Sequence, residues 1–461
     1  MLTSASPAAA DYRRDLGDGL VLRWSTAADT EHLAELTSLV FRDKADDPPN
    51  DYLPHEIRRL MRGDHPVMGP GDYGLVEDTR KEGNPVVACI CLQRLTWQYE
   101  GIPFRIGRPE IVATDPAYRN RGLIRKIFEM VHARSEAEGH LVQAITGIPY
   151  FYRQFGYEFA LDLGGRRVVF NQLIPKLKDG ESEPYTLREA TVEDIPLLQR
   201  CYNRRQPDNL VWTEAPDYYW RYHIENWKTS SEHDKTVSFQ VILDANGTPI
   251  GALHAAVKRR SRELGVWNFD VVPGINLQAV LPSVLRALLA YGSQLPTSKP
   301  DIEPFSAIAF RLGRQHPVYE LLGSGLAPYQ DPPYSWYVRV PDLPAFLTHI
   351  APVLEKRLAG SDIAGYSGEI KLDFYRGGPH GGLRMAFENG KLRTVEHWRV
   401  PTYEGNASGG FPPLVFLQVV FGHRTLDELR HAFPDVWVDR DPEFVLKTLF
   451  PVRPSNVQPL D

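Results

Sequence analysis

The sequence predicts a mixed α/β (α+β) protein with mixed central sheets in two related units, followed by a smaller α+β unit. Three observations predict it. A strand–turn–helix pattern occurs twice, 165 residues apart (Leu22 to Asp29 and Leu187 to Asp194). A strand, a basic helix start and a second strand follow one another between Glu110 and Ile145. The last third carries its own helix, hairpin and helix signals.

Length and composition set the frame. At 461 residues the chain exceeds one ordinary core, since domains hold roughly 100–200 residues. With 43% apolar and 24% charged residues it reads as a globular protein, which excludes a largely disordered or collagen-like chain. The net charge of −6 and the lack of a Lys/Arg run argue against nucleic-acid and polybasic membrane partners. No stretch approaches the roughly 18 consecutive apolar residues of a membrane span. The Ala-, Ser- and Pro-rich start, Met1 to Asp11, lacks a charged region before an apolar core, so it reads as a tail and not as a signal peptide. Cys89 and Cys91 stand at i and i+2 in the apolar run Val86 to Leu92, where they share a strand face. Without metal-ligand spacing they read as packed thiols. Reduced thiols fit a cytoplasmic location, and no metal is expected.

The repeat sets the organisation. Leu22-Arg23-Trp24-Ser25-Thr26-Ala27-Ala28-Asp29 leads into an apolar periodic run through Leu33, Leu36 and Val40. Leu187-Arg188-Glu189-Ala190-Thr191-Val192-Glu193-Asp194 leads into Leu197, Leu198 and Cys201. In each, Thr-x-x-Asp is a helix-start signal: the threonine caps first-turn N–H groups and the aspartate favours the positive helix end. The shared Leu-Arg flank points to a duplicated domain. Periodicity fades between Val168 and Glu183, among Pro175, Gly180 and Pro184, which marks a boundary. A second follows Gln330-Asp331-Pro332-Pro333. The expected domains are therefore 1–180, 181–335 and 336–461. In the third, Trp336 to Val340 reads as a strand, Leu343 to Leu358 as a helix, and Gly368 to Tyr375 and Leu383 to Glu388 as strands. Asn389-Gly390 is a hairpin turn before Lys391 to Val400. An apolar helix, Leu414 to Phe421, and a more polar one, Leu426 to Phe433, follow.

The chemistry lies in Glu110 to Ile127. A strand ends near Thr114, Asp115-Pro116 turns the chain, and a helix starts near Gly122 and runs to about Glu138. Ile124, Ile127, Phe128 and Val131 form its apolar face. A helix start presents unpaired N–H groups and partial positive charge. Gly122 removes the Cβ that would block a phosphate. Arg119, Arg121 and Arg125 gather there, where cations oppose the helix dipole unless an anion joins them. An ordinary amphipathic helix with a solvated basic start is the plainer reading of the same residues.

The strand Leu141 to Ile145 and the run Phe151-Tyr152-Arg153-Gln154-Phe155-Gly156-Tyr157 come next. Arg119-Asn120-Arg121-Gly122 followed by this aromatic run resembles the GNAT acetyltransferase signature. Ile124 departs from it, standing where the general pattern has a second Gly or Ala. A bulky residue there is shared with the Eis-like (enhanced intracellular survival) branch, which this chain resembles over its whole length. The resemblance implies tandem GNAT acyl-CoA N-acyltransferase domains, the first active and the second degenerate, and a C-terminal sterol-carrier-protein-like domain. It implies acetyl-CoA as co-substrate, with the pantetheine arm beside Val112, Ala113 and Thr114. The pyrophosphate falls to Asn120, Arg121, Gly122, Leu123, Ile124 and Arg125, with a further contact at Gly147 and Ile148. It makes Tyr152 the general acid for the departing thiolate, with packing of the aromatic run as the alternative. It makes the α-carboxylate of Asp461 the base, with a frayed terminus as the alternative. The acceptor would be a small-molecule or peptide amine, and the assembly a homo-oligomer, with a hexamer among the forms open.

The second copy reads Val271-Val272-Pro273-Gly274-Ile275-Asn276-Leu277-Gln278 where a pyrophosphate loop belongs. It holds no arginine, so it is expected not to bind CoA; a helix from Leu281 to Tyr291 follows. Two other functions remain open. One is an apolar-ligand or lipid carrier, from the helix Leu414 to Phe421, which also reads as buried core. The other is an acyl-CoA-binding sensor without turnover.

Overall fold

The computed structural model describes residues 6–42, 47, 49, 52–225, 237–375, 381–400 and 406–459. They form a mixed α/β protein with mixed sheets. Two compact units divide the chain: Met1–Leu161 with Ser335–Arg453, and Asp162–Tyr334 with Pro454–Leu460.

The first unit holds a sheet in the order Arg13–Gly17, Leu20–Trp24, Tyr73–Asp78, Val86–Tyr99, Ile102–Thr114, Val142–Ile145, Tyr334–Arg339, Glu158–Leu163. Its long hairpin, Val86–Tyr99 against Ile102–Thr114, is antiparallel. Apolar and β-branched residues occupy both faces of Val86–Tyr99, so its first eight residues are all buried. The three cysteines of the chain, Cys89, Cys91 and Cys201, are buried and unbridged. The helix Leu123–Ala137 packs one face of this sheet through Leu123, Ile127, Phe128, Met130 and Val131. Those positions follow the helical period, and Gly74 lets the helix approach: a Cβ there would meet Met130 and Ile127 within 3 Å.

The strand read from Trp336 as the start of the last region is Tyr334–Arg339, and it joins this first sheet. It pairs antiparallel with Val142–Ile145, Tyr337 opposite Ile145. A five-stranded sheet also belongs to this unit, in the order Lys391–Trp398, Gly382–Glu388, Gly368–Asp373, Gly409–Gly410, Trp437–Val438. Asn389 and Gly390 both take left-handed φ (50° and 74°), as the expected hairpin turn requires. The single helix expected over Leu343 to Leu358 is two, Leu343–His349 and Ala351–Ala359, broken at Ile350. The apolar helix is shorter than its pattern, Phe416–Val420, because Leu414 sits at φ 70°. Its five residues are buried, and Phe416 packs on Phe374, Phe411 and Phe450. That side chain is core filling.

The second unit is a seven-stranded sheet in the order Tyr329–Asp331, Arg166–Phe170, Ala307–Phe310, Glu263–Val271, Pro249–Ala256, Val237–Leu243, Thr186–Glu189. The helix Leu277–Gln294 covers it with Val280, Leu281, Val284, Leu285 and Leu288.

The repeated motif has the same bonds in both units. In the first, Arg23 forks onto Asp29 at 2.7 and 2.9 Å, and the Thr26 backbone N–H donates to Asp29 at 2.7 Å. In the second, Arg188 forks onto Asp194 at 2.7 and 2.8 Å, and the Thr191 N–H donates to Asp194 at 2.8 Å. The Leu-Arg flank is thus part of the helix start: a strand arginine fixes the carboxylate that caps the helix.

Candidate active site

The site is built where one strand leaves its neighbour. Ile102–Thr114 pairs in parallel with Val142–Ile145 only at Ile106 and Gly107. Beyond Gly107 the two strands part. On the other side the strand stays paired, with Ala113 opposite Cys89 and Thr114 opposite Ala88. A bulge falls between those pairs and Cys91–Glu110, and Ile111 takes φ 52° there. An extra residue of this kind bends a strand and leaves part of its edge unpaired. Val112, Ala113 and Thr114 follow the bulge, so the sequence-expected pantetheine residues lie on the parted stretch.

The chain then turns through Asp115, whose carboxylate accepts from the Ala117 N–H at 2.8 Å. Asn120 and Gly122 are left-handed (φ 63° and 71°), a conformation that glycine and asparagine tolerate best. The helix starts at Leu123 without a side-chain cap, and nothing lies within 4 Å of where a Gly122 Cβ would stand. No side chain caps its first-turn N–H groups, which carry the partial positive charge of the helix end. Leu123 is buried under them, Ile124 is half-buried, and Asn120, Arg121, Gly122 and Arg125 are exposed. The Arg121 guanidinium stands 5.0 Å from the Tyr118 ring centroid. Arg125 lies 5.2 Å from the Phe155 ring and donates to the Gln154 side chain at 2.8 Å. Neither Arg119 nor Arg121 has an ion pair among the described residues. An uncapped helix start beside arginines is a place where an anion is favoured.

Gly147 and Ile148 follow the parted neighbour strand; both are exposed, Ile148 at 58%. Gly147 has φ 125°, and a Cβ on it would lie 3.4 Å from the Tyr152 hydroxyl. Tyr152 opens the short helical turn Tyr152–Phe155, which Gly156 ends at φ 88°. It is 3% exposed, with edge contacts to Phe128, Phe151, Tyr157 and Tyr337. The structure thus brings Tyr152 beside Gly147, one link of the expected constellation. Burial, then the charge of Glu110, then Tyr337, hold its hydroxyl well above the ordinary tyrosine range. A phenol so placed stays protonated through the physiological range. Tyr157 is fully buried and bonded to the His132 ring at 2.8 Å, which makes it the packing residue of the run.

Sequence reasoning passed over Glu110. It stands directly opposite Cys91 at the bulge, paired with Arg108 at 2.9 Å, while Arg108 donates to Gln93 at 2.8 Å. The signal was present in the string as a carboxylate two residues after Arg108 and directly before the apolar run Ile111 to Ala113. Asp461 lies outside the described residues. The segment before it is docked within its own unit: Leu210 N–H donates to Pro454 at 2.8 Å, Asn456 N–H to Val211 at 3.1 Å, and Gln458 N–H to Thr213 at 2.9 Å.

The corresponding place in the second unit is closed. Asn276 caps the helix Leu277–Gln294, its side chain accepting from Gln278 at 3.0 Å and Ala279 at 3.4 Å. Those N–H groups are already bonded. Among the described residues no group of three His, Cys, Asp or Glu side chains could hold a metal ion. No helix among them is long and apolar enough to cross a membrane.

The profile of the acetyltransferase (GNAT) domain matches residues 22–160, which include the parted strand, the uncapped helix start and Tyr152. The chain carries a GNAT acetyltransferase domain. It is accordingly an N-acetyltransferase, and a GNAT domain takes an acyl-CoA donor and an amine acceptor. Solved structures share the fold along nearly the whole chain. A GCN5-related N-acetyltransferase from Kribbella flavida is 17% identical with a TM-score of 0.64, covering 96% of this chain and 98% of that one. A probable N-acyltransferase from Enterococcus faecalis V583 is 12% identical (TM-score 0.66, 95% and 99% covered). Eis1 from Mycobacterium abscessus is 14% identical (TM-score 0.55, 94% and 98% covered). No curated protein sequence matches the chain.

Proposed function

We propose that this GNAT domain moves an acetyl group from acetyl-CoA directly to an amine, within an Eis-like protein. The observation that carries this is the parted edge of Ile102–Thr114 running into an uncapped helix start rimmed by unpaired arginines. Val112, Ala113 and Thr114 would pair with the pantetheine arm. Asn120, Arg121, Gly122, Leu123, Ile124 and Arg125 would seat the pyrophosphate, and Gly147 and Ile148 would border the acyl end. The first copy, 1–180, is then the active one. The second, 181–335, is degenerate, with Asn276 in place of an anion. The last region, 336–461, is read as sterol-carrier-like.

In the reaction the amine nitrogen attacks the acetyl carbonyl and the C–S bond breaks; the amine loses one proton and the departing thiolate takes one up. Tyr152, the proposed general acid, would offer its hydroxyl proton to the departing thiolate. With its proton held more tightly than in free tyrosine, full transfer to a thiolate of ordinary pKa near 8.5 is uphill. Its contribution is therefore a hydrogen bond that strengthens as charge develops on sulfur. The amine's proton goes to a carboxylate, assigned by the resemblance to the α-carboxylate of Asp461. The acceptor class is a small-molecule or peptide amine, in a homo-oligomer of cytoplasmic location.

The test is an amine panel with acetyl-CoA, read by free thiol. Amine-dependent thiol release with a stoichiometric N-acetyl product is expected. CoA bound tightly with no release from any amine would turn the reading into the acyl-CoA sensor.

A further inference from the structure

We infer that Lys81, on the turn beside the helix start, holds the 3′-phosphate of CoA and makes the enzyme discriminate against 3′-dephospho-CoA. The inference rests on the cofactor reading above. Tyr118 is the platform for it. Its ring is buried, and its hydroxyl donates to Asp78 at 2.7 Å. Two cations flank that ring: the Lys81 ammonium at 5.1 Å from the centroid and the Arg121 guanidinium at 5.0 Å.

They come from different segments. Arg121 belongs to the loop that seats the pyrophosphate. Lys81 belongs to the turn joining strands Tyr73–Asp78 and Val86–Tyr99, pinned by Lys81 N–H to Asp78 O at 3.3 Å and Asn84 N–H to Lys81 O at 3.1 Å. The nearby carboxylates are already committed. Asp78 takes a two-pronged bond from Arg80, at 3.0 Å on each oxygen, as well as the Tyr118 hydroxyl. Asp115 caps its own turn. Lys81 is exposed and has no ion pair among the described residues. Two cations share one fixed ring, the Lys81 ammonium also interacting with the Tyr118 hydroxyl and with the charges of Asp115 and Asp78, and a dianion beside them would draw on both. CoA has two phosphate groupings, the pyrophosphate and the 3′-phosphate. The helix start and Arg121 account for the first. Lys81 comes from outside that loop and has no ion pair among the described residues, and a point charge on a flexible stem suits a terminal phosphate.

The experiment is calorimetric titration of the full chain with CoA and with 3′-dephospho-CoA. Wild type, Lys81→Met and Arg121→Met are compared, with thermal unfolding as the fold check. Wild type should bind CoA about tenfold more tightly than the dephospho form, the worth of one charge-assisted bond. Lys81→Met should lose that preference, weakening CoA about tenfold and leaving 3′-dephospho-CoA unchanged. Arg121→Met should weaken both ligands. The inference is overturned if wild type binds the two ligands equally, or if Lys81→Met weakens both equally or neither. A folded Arg121→Met that binds both as wild type does would instead sink the cofactor reading, which separates the two failures.

Discussion

Arg125 donates to the Gln154 side chain at 2.8 Å, and this bond joins the two halves of the GNAT signature. Arg125 stands in the first turn of Leu123–Ala137, beside the anion seat, and Gln154 stands two residues after Tyr152. Gln154 is held in turn by its own amide, which donates to the Phe151 carbonyl at 3.1 Å. The same guanidinium lies over Phe155, which stacks on Phe128 of the helix at 4.4 Å between centroids. The binding element and the proposed acid are therefore one packed cluster.

One CoA per chain is the first expected outcome. The first helix start is open and rimmed by arginines, whereas the second is capped by Asn276. Titration calorimetry should give a stoichiometry of one, and Arg121→Glu should lower affinity at least tenfold. A charge-assisted bond counts for roughly 1.5–3 kcal/mol, and the new carboxylate adds repulsion. Two equivalent sites, or a folded Arg121→Glu with unchanged affinity, would show the seat to be misassigned.

Tyr152→Phe keeps the ring in its aromatic cluster and deletes only the hydroxyl. Acetyl-CoA binding should persist while kcat falls by roughly 10²–10⁴-fold. Because the folded hydroxyl titrates above the usual tyrosine value near 10, its ionisation should not produce an alkaline fall in rate below about pH 10. A Tyr152→Phe variant with near wild-type kcat would leave the residue as packing alone.

The basic helix start and the aromatic run were legible because each is a local pattern whose chemistry depends on neighbours in sequence. The repeat was legible for the same reason, yet the role of its arginine was not, since Arg23 and Arg188 act on an aspartate six residues further on. What escaped were pairings between distant segments. Tyr334–Arg339 carries an ordinary strand pattern, and nothing in its residues says that it lies beside Val142–Ile145, almost 200 positions earlier. Glu110 was hidden likewise. Its charge acts on the Tyr152 hydroxyl, and neither the bulge at Ile111 nor the parting of the two strands beside it has a mark in the string. Lys81 sits in a polar turn that reads as solvent-facing until Tyr118 is placed under it.

Buried histidine should make the first unit acid-sensitive. His140 is 3% exposed, bonded to Ser135 at 2.9 Å, and burial lowers its pKa to about 4, against a partial opposing pull from Glu138. A base whose folded pKa lies below its unfolded value of about 6.5 binds protons more readily when unfolded. Its stabilising contribution is full above pH 6.5 and is lost as pH falls through 4. That loss is on the order of 3 kcal/mol. The melting temperature of the wild type should drop between pH 7 and pH 4.5, and His140→Asn should show a smaller drop. Parallel pH curves for the two proteins would place the acid sensitivity elsewhere.

The base is tested at the end of the chain. Residues up to Gln458 are anchored, with Gln458 bonded to Thr213 and to the Trp267 carbonyl at 2.9 Å, so removing Leu460 and Asp461 leaves those bonds in place. An α-carboxyl near pKa 3.5 is a weak base unless burial raises it, and its position decides whether it can take the amine's proton. Truncation replaces it with a carboxylate two residues short. Adding two glycines displaces it without deleting a side chain. If the terminus is the base, both variants should bind CoA as wild type does and lose kcat by a common large factor, roughly 10²-fold or more. If both turn over normally, the terminus is not the base. Glu110 is then the carboxylate to test, because its charge already reaches the Tyr152 hydroxyl from the parted strand. Glu110→Gln should in that case carry the loss, with the acid limb of the kcat profile removed. A Glu110→Gln enzyme as active as wild type, alongside two silent terminal variants, would leave solvent water as the proton acceptor.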